Sequence, residues 1–313
     1  MNNVEMSKNL MANSARDFVG YGKELPNIQW PGNARLAISV VVNFEEGSER
    51  SPIRGDSIAE PSGEAEPVPR GIANRKNESL FRYGSRCGIW RLLELLDKHQ
   101  IKATFFSCAE ALELNPIAAR KIAVDGHEVC CHGLRWLPFD SLDIEEQRQH
   151  IHKAVNIIQR IVGVRPVGWF SWAPSEQMRA LLLEEGGFIY DSNSFADDLP
   201  YFVDVSGKEW LVIPYDLSNN DGLFSRPPGY STPADFYSQL KTEFDWLYEE
   251  SSTSPRMMSI GLHLRFAGRP GRAQAVEKFI KYAIGFSDVW FARRVDIARW
   301  WLQSFNRDLS DRT

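Results

Sequence analysis

Arg35-Leu-Ala-Ile-Ser-Val-Val-Val-Asn43, followed at once by Phe44-Glu45-Glu46-Gly47, is the stretch on which the fold turns. Its near-continuous apolar, β-branched character is that of a strand buried on both faces, the habit of a parallel sheet covered by helices. A Glu-Glu pair is ordinarily a solvated surface feature. Here it follows directly on a buried strand.

Downstream of this strand, short apolar runs alternate with helix-length amphipathic segments. Ser48 to about Asn77 is rich in Pro, Gly and Glu and reads as a long functional or mobile loop. Gly88 to His99 has helical spacing, with Ile89, Leu92, Leu93 and Leu96 on one face. Ala103 to Cys108 is a strand, Pro116 to Asp125 a helix, and the next strand ends at His132. Ser141 to Val162 is a helix with the acidic start that a helix N-terminus favours. Val167 to Trp172 is a strand, and Ser175 to Gly186 a helix stopped by Gly186-Gly187. Strands begin at Phe188 and span Leu211 to Pro214. Pro233 to Glu250 is a helix, Met257 to His263 a strand, Arg272 to Ile284 a helix, and Val289 to Phe291 a strand before the last helix. Such alternation implies a parallel sheet. About seven or eight units predict an α/β fold closed, or nearly closed, into a barrel.

Gly126-His127-Glu128-Val129-Cys130-Cys131-His132-Gly133-Leu134-Arg135-Trp136 reads as a metal motif lacking one ligand. A strand ending in His-x-x-x-His places two imidazoles over one pocket and suits zinc. Here His132 is followed, four residues on, by Trp136, whose indole donates but does not ligate. Glu45-Glu46, His132 and His263 all fall at predicted C-terminal strand ends, the face where barrel active sites lie. Two carboxylates and two imidazoles there suit general acid–base chemistry. A lone His in an apolar strand is more often a satisfied core residue, so the weight rests on the three coinciding.

The chain has 313 residues, 43% hydrophobic, with 10 Trp and a net charge of −5. No basic run suggests a nucleic-acid groove. Cys87, Cys108, Cys130 and Cys131 form no CxxC pair and are expected to be buried free thiols in a reducing compartment. Met1 to Arg16 lacks the pattern of a secretory signal. The longest apolar run, Leu36 to Val42, is too short to span a membrane. A cytoplasmic protein is the expectation.

These residues carry a family resemblance. Phe44-Glu45-Glu46-Gly47 resembles the Phe-Asp-Asp-Gly motif of the polysaccharide deacetylase superfamily (NodB-type, carbohydrate esterase family 4). Gly126-His127-Glu128 leading to His132 resembles its second motif, Arg165-Pro166 its third, and Leu262-His263 its last. The subgroup resembled is the metal-independent allantoinases, through Arg16 to Gly22, Trp30 to Gly32, Asn43 to Glu49, Tyr83 to Leu92, His132 to Trp136, Arg165 to Trp169, Asp191 to Tyr201, Ile213 to Tyr215, Ser259 to His263 and Gly268 to Pro270. The resemblance covers residues 16 to 303. It implies a single, irregular seven-stranded deacetylase-type barrel over residues 16–313, after a flexible arm over 1–15.

The resemblance further implies that Glu45 is the general base, Arg165 orients it, and His263 is the general acid. Glu46 and His132 match metal-ligand positions and Trp136 the missing third. No metal or other cofactor is therefore expected; any residual site would use Glu46, His132 and His263. With no metal, the Glu45 pKa is expected to be raised by burial and by Glu46, with Arg165 opposing. Trp136, Trp169, Trp172, Tyr201 and Arg265 are expected to bind substrate. Where allantoinases of this type carry a Gly-Arg-Thr-Gly-like turn, this chain has Trp172-Ala173-Pro174, which implies a more apolar pocket.

The implied activity is hydrolysis of a non-peptide C–N bond in a cyclic ureide or amide such as allantoin. The alternatives are an N-deacetylase of an amino sugar or peptidoglycan, and a non-catalytic ligand-binding relative. A small-molecule ureide or amide is the expected partner, with no nucleic acid and no membrane. A homo-oligomer, dimer or tetramer, is expected. His150 and His152 read as surface residues, His99 as a helix-end residue, and Trp300-Trp301 as a packing anchor. Arg265, Arg269 and Arg272 read as anion-binding or interface residues.

Overall fold

The structure is a computed structural model and describes residues 17–307. The expected arm over residues 1–15 lies outside the described residues. Strand β1 (Leu36–Phe44) is buried along its whole length. One edge pairs in parallel with β8 (Arg256–His263), from Leu36↔Arg256 to Asn43↔His263. The other edge is shared. There β9 (Val289–Phe291) takes Leu36–Ile38, and β2 (Thr104–Ser107) takes Val41–Phe44. From β2 the sheet runs in parallel through β3 (Glu128–Cys131), β4 (Gly168–Trp169), β5 (Tyr190–Asp191) and β7 (Lys208–Val212). A strand absent from the sequence expectation, β6 (Tyr201–Val205), lies antiparallel to β7. The turn between them, Ser206-Gly207, has positive φ at both residues, which suits a tight hairpin.

The series β8-β1-β2-β3-β4-β5-β7 is the expected curled parallel sheet of an α/β barrel. Between β7 and β8 only one backbone bridge is present among the described residues, Asn220 to Gly261. Side chains span the rest of that seam. Arg294, fully buried, donates to Ser259 Oγ at 2.9 Å and Ile213 O at 2.7 Å, and also to Pro214 O. It reaches Ser192 Oγ at 2.9 Å as well.

Several element ends differ from expectation, for local reasons. The helix expected from Ser141 begins at Ile144, because Asp143 and Glu146 form a reciprocal capping box. The strand expected over Val167–Trp172 contracts to Gly168–Trp169, because Phe170 to Trp172 turn away to form part of a cavity wall. The loop after β1 is tied down by ion pairs, Arg50 to Glu60 at 3.1 Å and Arg135 to Asp56 at 2.7 Å. Its end is a helix, Arg75–Tyr83, that runs through a π-turn, Gly84–Gly88, into the expected helix Ile89–Lys98.

Trp301 is fully buried, its ring 5.9 Å from that of Trp30, and Trp300 donates to Gln29 O at 2.8 Å, so the C-terminal pair is the expected packing anchor. All four cysteines are free, and Cys108, Cys130 and Cys131 are buried as expected, but Cys87 is exposed on the outer side of the π-turn. No helix among the described residues is long and apolar enough to cross a membrane.

Candidate active site

Because the strands run parallel, their C-terminal ends open on one face. The β1–β8 register sets Asn43 opposite His263, so Glu45 follows β1 beside the end of β8. His132 follows β3, Phe170 to Trp172 follow β4, and the chain after β7 brings in Tyr215 to Asp221. Together they surround a cavity of about 350 Å³. Its walls are strongly aromatic, with Trp136, Phe170, Trp172, Phe195, Tyr215 and Phe266. Trp136 and Trp172 lie 5.0 Å apart between ring centroids, tilted by 30°.

Glu45 is the hub. Its Oε1 is 3.3 Å from His132 Nε2 and 3.7 Å from His263 Nε2, and its Oε2 accepts from Arg265 Nη1 at 2.8 Å. His132 Nδ1 faces Phe170 O at 3.0 Å, and a carbonyl only accepts, so that nitrogen carries a proton. His263 Nδ1 lies 2.6 Å from Asp221 Oδ1. Asp221 Oδ2 accepts from the backbone N–H groups of His263 and Ala267, each at 2.8 Å. Glu46 turns the other way. Its Oε2 accepts from the Glu45 N–H at 3.0 Å, while its Oε1 is buried without a partner and lies 3.8 Å from Arg265 Nη1. The Gly84 backbone packs against that carboxyl so closely that a Cβ there would lie 2.5 Å from Oε1.

Electrostatics divide the two glutamates. Burial pushes both carboxyl pKa values up. At Glu45 the Arg265 guanidinium bonded to it, with His263 and His132 facing it, outweighs burial and holds it well below the usual carboxylate range. At Glu46 burial prevails: Arg265 opposes it, the Glu45 charge adds to it, and the pKa is pushed up to about 8. The expected elevation therefore falls on Glu46 and not on Glu45. The reason is direct, since Arg265 bonds Glu45 and only approaches Glu46.

Of the expected site residues, Glu45, His132, His263, Trp136, Trp172 and Arg265 all line the cavity, and Glu46 lies just behind it. Three do not come to it. Arg165 stands before β4, at the opposite end of the strand, and pairs with Glu185. The guanidinium on Glu45 belongs to Arg265. Trp169 points to the outer layer, edge-on to Phe139 and Phe188. Tyr201 bonds Ser194 Oγ at 2.7 Å.

Asp221 was not foreseen, because Asn219-Asn220-Asp221-Gly222 has the composition of a solvated turn. His150, expected at the surface, is buried and accepts from Leu134 N at 2.6 Å, bracing the turn after His132. His99 pairs with Glu277 at 3.0 Å. Arg269 stacks on Tyr83 at 3.5 Å, and Arg272 pairs with Glu64 at 2.5 Å.

The side chains present do not fit a metal. The described residues hold no cluster of three or more ligating groups suited to an ion. His132 Nε2 faces Glu45, Trp136 stands in the third ligand position, and a guanidinium lies beside both carboxylates.

A family model described as polysaccharide deacetylase matches residues 78–184. A Schizosaccharomyces pombe relative, whose name assigns it to the polysaccharide deacetylases, is 35% identical over 308 residues, covering 91% of this chain and 96% of that one. A solved structure from Pseudomonas aeruginosa PAO1, named for the same family, is 44% identical with a TM-score of 0.90, covering 94% of this chain and all of that one. The solved structure of Puue allantoinase is 42% identical with a TM-score of 0.91, covering 95% of this chain and all of that one.

Proposed function

Because the chain belongs to the polysaccharide deacetylase family, whose members act on C–N bonds, we propose that it opens a small cyclic ureide or amide such as allantoin by hydrolysis. The observation that carries this reading is the Asp221–His263–Glu45 line within an aromatic cavity. Asp221 Oδ1, 2.6 Å from Nδ1, favours the tautomer whose Nε2 is free to take up a proton. A water between Glu45 and His263 attacks the carbonyl carbon and passes its proton to His263 Nε2. The same nitrogen returns that proton to the ring nitrogen as the C–N bond breaks, leaving an open-chain carboxylic acid.

Glu45, held ionised, is a poor base. It holds the water and balances the imidazolium charge, so the water-activating role passes from Glu45 to His263. A cavity of about 350 Å³ is in the range of small-molecule pockets. The likeness to Puue allantoinase supports the ureide class.

The tilted Trp136–Trp172 pair favours one second reading, N-deacetylation of an amino sugar whose ring face stacks on indole. A single panel separates the readings: allantoin, substituted hydantoins and dihydropyrimidines, assayed for ring-opened acid, beside N-acetylglucosamine oligomers, assayed for acetate. Acetate release without ring opening reverses the order. Turnover of no member leaves a ligand-binding relative.

A further inference from the structure

Arg265 is 2% exposed and fully surrounded by the site. Its Nη1 bonds Glu45 at 2.8 Å and lies 3.8 Å from Glu46. Its guanidinium carbon lies 4.2 Å from the ring centre of Phe81, 4.8 Å from that of Phe266 and 5.5 Å from that of Trp136. Two residues that match metal-ligand positions, Glu46 and Trp136, thus border a fixed cation supplied by the chain itself. Burying a guanidinium is expensive unless it is paired, and one ionised carboxylate is its nearest partner. Nη1 is committed to Glu45 and Nε is buried without a partner. Among the described residues Nη2 has no acceptor, and Arg265 contributes to the cavity wall.

We propose that Arg265 is the resident cation of the site: its free Nη2 donates to the oxygen of the scissile carbonyl and stabilises the negative charge that develops there when water adds. This rests on the hydrolase reading above. No covalent bond to Arg265 forms; the C=O electron pair moves onto oxygen, is held by the guanidinium, and returns as the C–N bond breaks. A preorganised donor at a developing oxyanion acts in just this manner.

Two experiments test it, one independent of turnover. In the first, Arg265→Gln and Arg265→Lys, checked for fold by circular dichroism, are assayed on a substrate that the wild-type chain turns over. Arg265→Gln is expected to lower kcat by about 10²–10³-fold, the usual loss for one oxyanion donor. Arg265→Lys should exceed it at least tenfold, and millimolar guanidinium should partly restore an Arg265→Ala variant where equal sodium chloride does not. Equal kcat for the Gln and Lys variants would overturn the proposal.

The second experiment is a cobalt(II) titration read by visible absorption. A Trp136→His variant that keeps Arg265 should bind no cobalt, whereas Trp136→His with Arg265→Ala should acquire its absorption bands. Equal binding by both overturns the placement of Arg265 in the cation position. A wild-type chain silent on every ureide and sugar defeats the functional reading, and the cobalt titration still decides the placement.

Discussion

Asp221 holds His263 at two points, with Oδ1 2.6 Å from ring Nδ1 and Oδ2 2.8 Å from the His263 backbone N–H. The same Oδ2 takes Ala267 N–H, so one fully buried carboxylate fixes both the ring and the turn beneath it. Asp221→Asn should place an amide donor opposite Nδ1 and favour the wrong tautomer. The expected loss is in kcat, about 10²–10⁴-fold, with KM little changed. Steady-state kinetics with a circular dichroism control reads it, and near-wild-type kcat would remove Asp221 from the positioning role.

Glu46 predicts a pH dependence of stability. Its folded pKa of about 8 lies above the ordinary 4.5, so between these values the folded chain holds a proton that the unfolded chain has released. Stability from this group is therefore full below pH 4.5, falls as pH rises toward 8, and is level above that. Glu45 acts in the opposite sense, and only below pH 4.5, where its protonation in the unfolded chain removes stability. Glu46→Gln should flatten the decline. Urea midpoints at pH 5, 6, 7 and 8 for both proteins measure it, and parallel curves would count against the assignment.

Gly84→Ala should be damaging although no catalytic side chain changes. The new Cβ would lie 2.5 Å from Glu46 Oε1 and 2.9 Å from Arg265 N. Overpacking of this kind costs about 1–3 kcal/mol, and here the displaced groups flank Glu45. Thermal unfolding should show the loss of stability, and turnover should fall with it.

Arg165→Ala separates the family expectation from the observed geometry. Glu185, whose side chain is 5% exposed, would lose its partner, at about 1–3 kcal/mol. Turnover should stay near that of the wild-type chain, since Arg165 stands at the far end of β4. A large fall in kcat at unchanged stability would restore Arg165 to the site.

The barrel was legible in the sequence because buried parallel strands write themselves as apolar runs, as Leu36 to Val42 does. Glu45, His132 and His263 were legible because each follows such a run. What escaped was set by contacts between distant loops. Asp221 looks like any turn aspartate until β8 is placed beside it. Arg265 was named for substrate binding and not as the partner of Glu45, and nothing local tells the guanidinium that faces Glu45 from one that faces Glu64, as Arg272 does. Trp169 was misread by one position, since alternation along β4 sends Phe170 to the cavity and Trp169 to the helices.

The gap between β7 and β8 has a consequence for how the molecule fails. A ladder yields residue by residue, but a seam held by a few side chains, Arg294 and Asp221 foremost, yields when either lets go. The segment released first is the one that follows β7, and it carries Asp221. Under mild heat or denaturant, His263 would then lose its alignment while most strands remain paired. Turnover should vanish before ellipticity does, and amide exchange should quicken near Tyr215 to Asp221 ahead of the rest of the sheet.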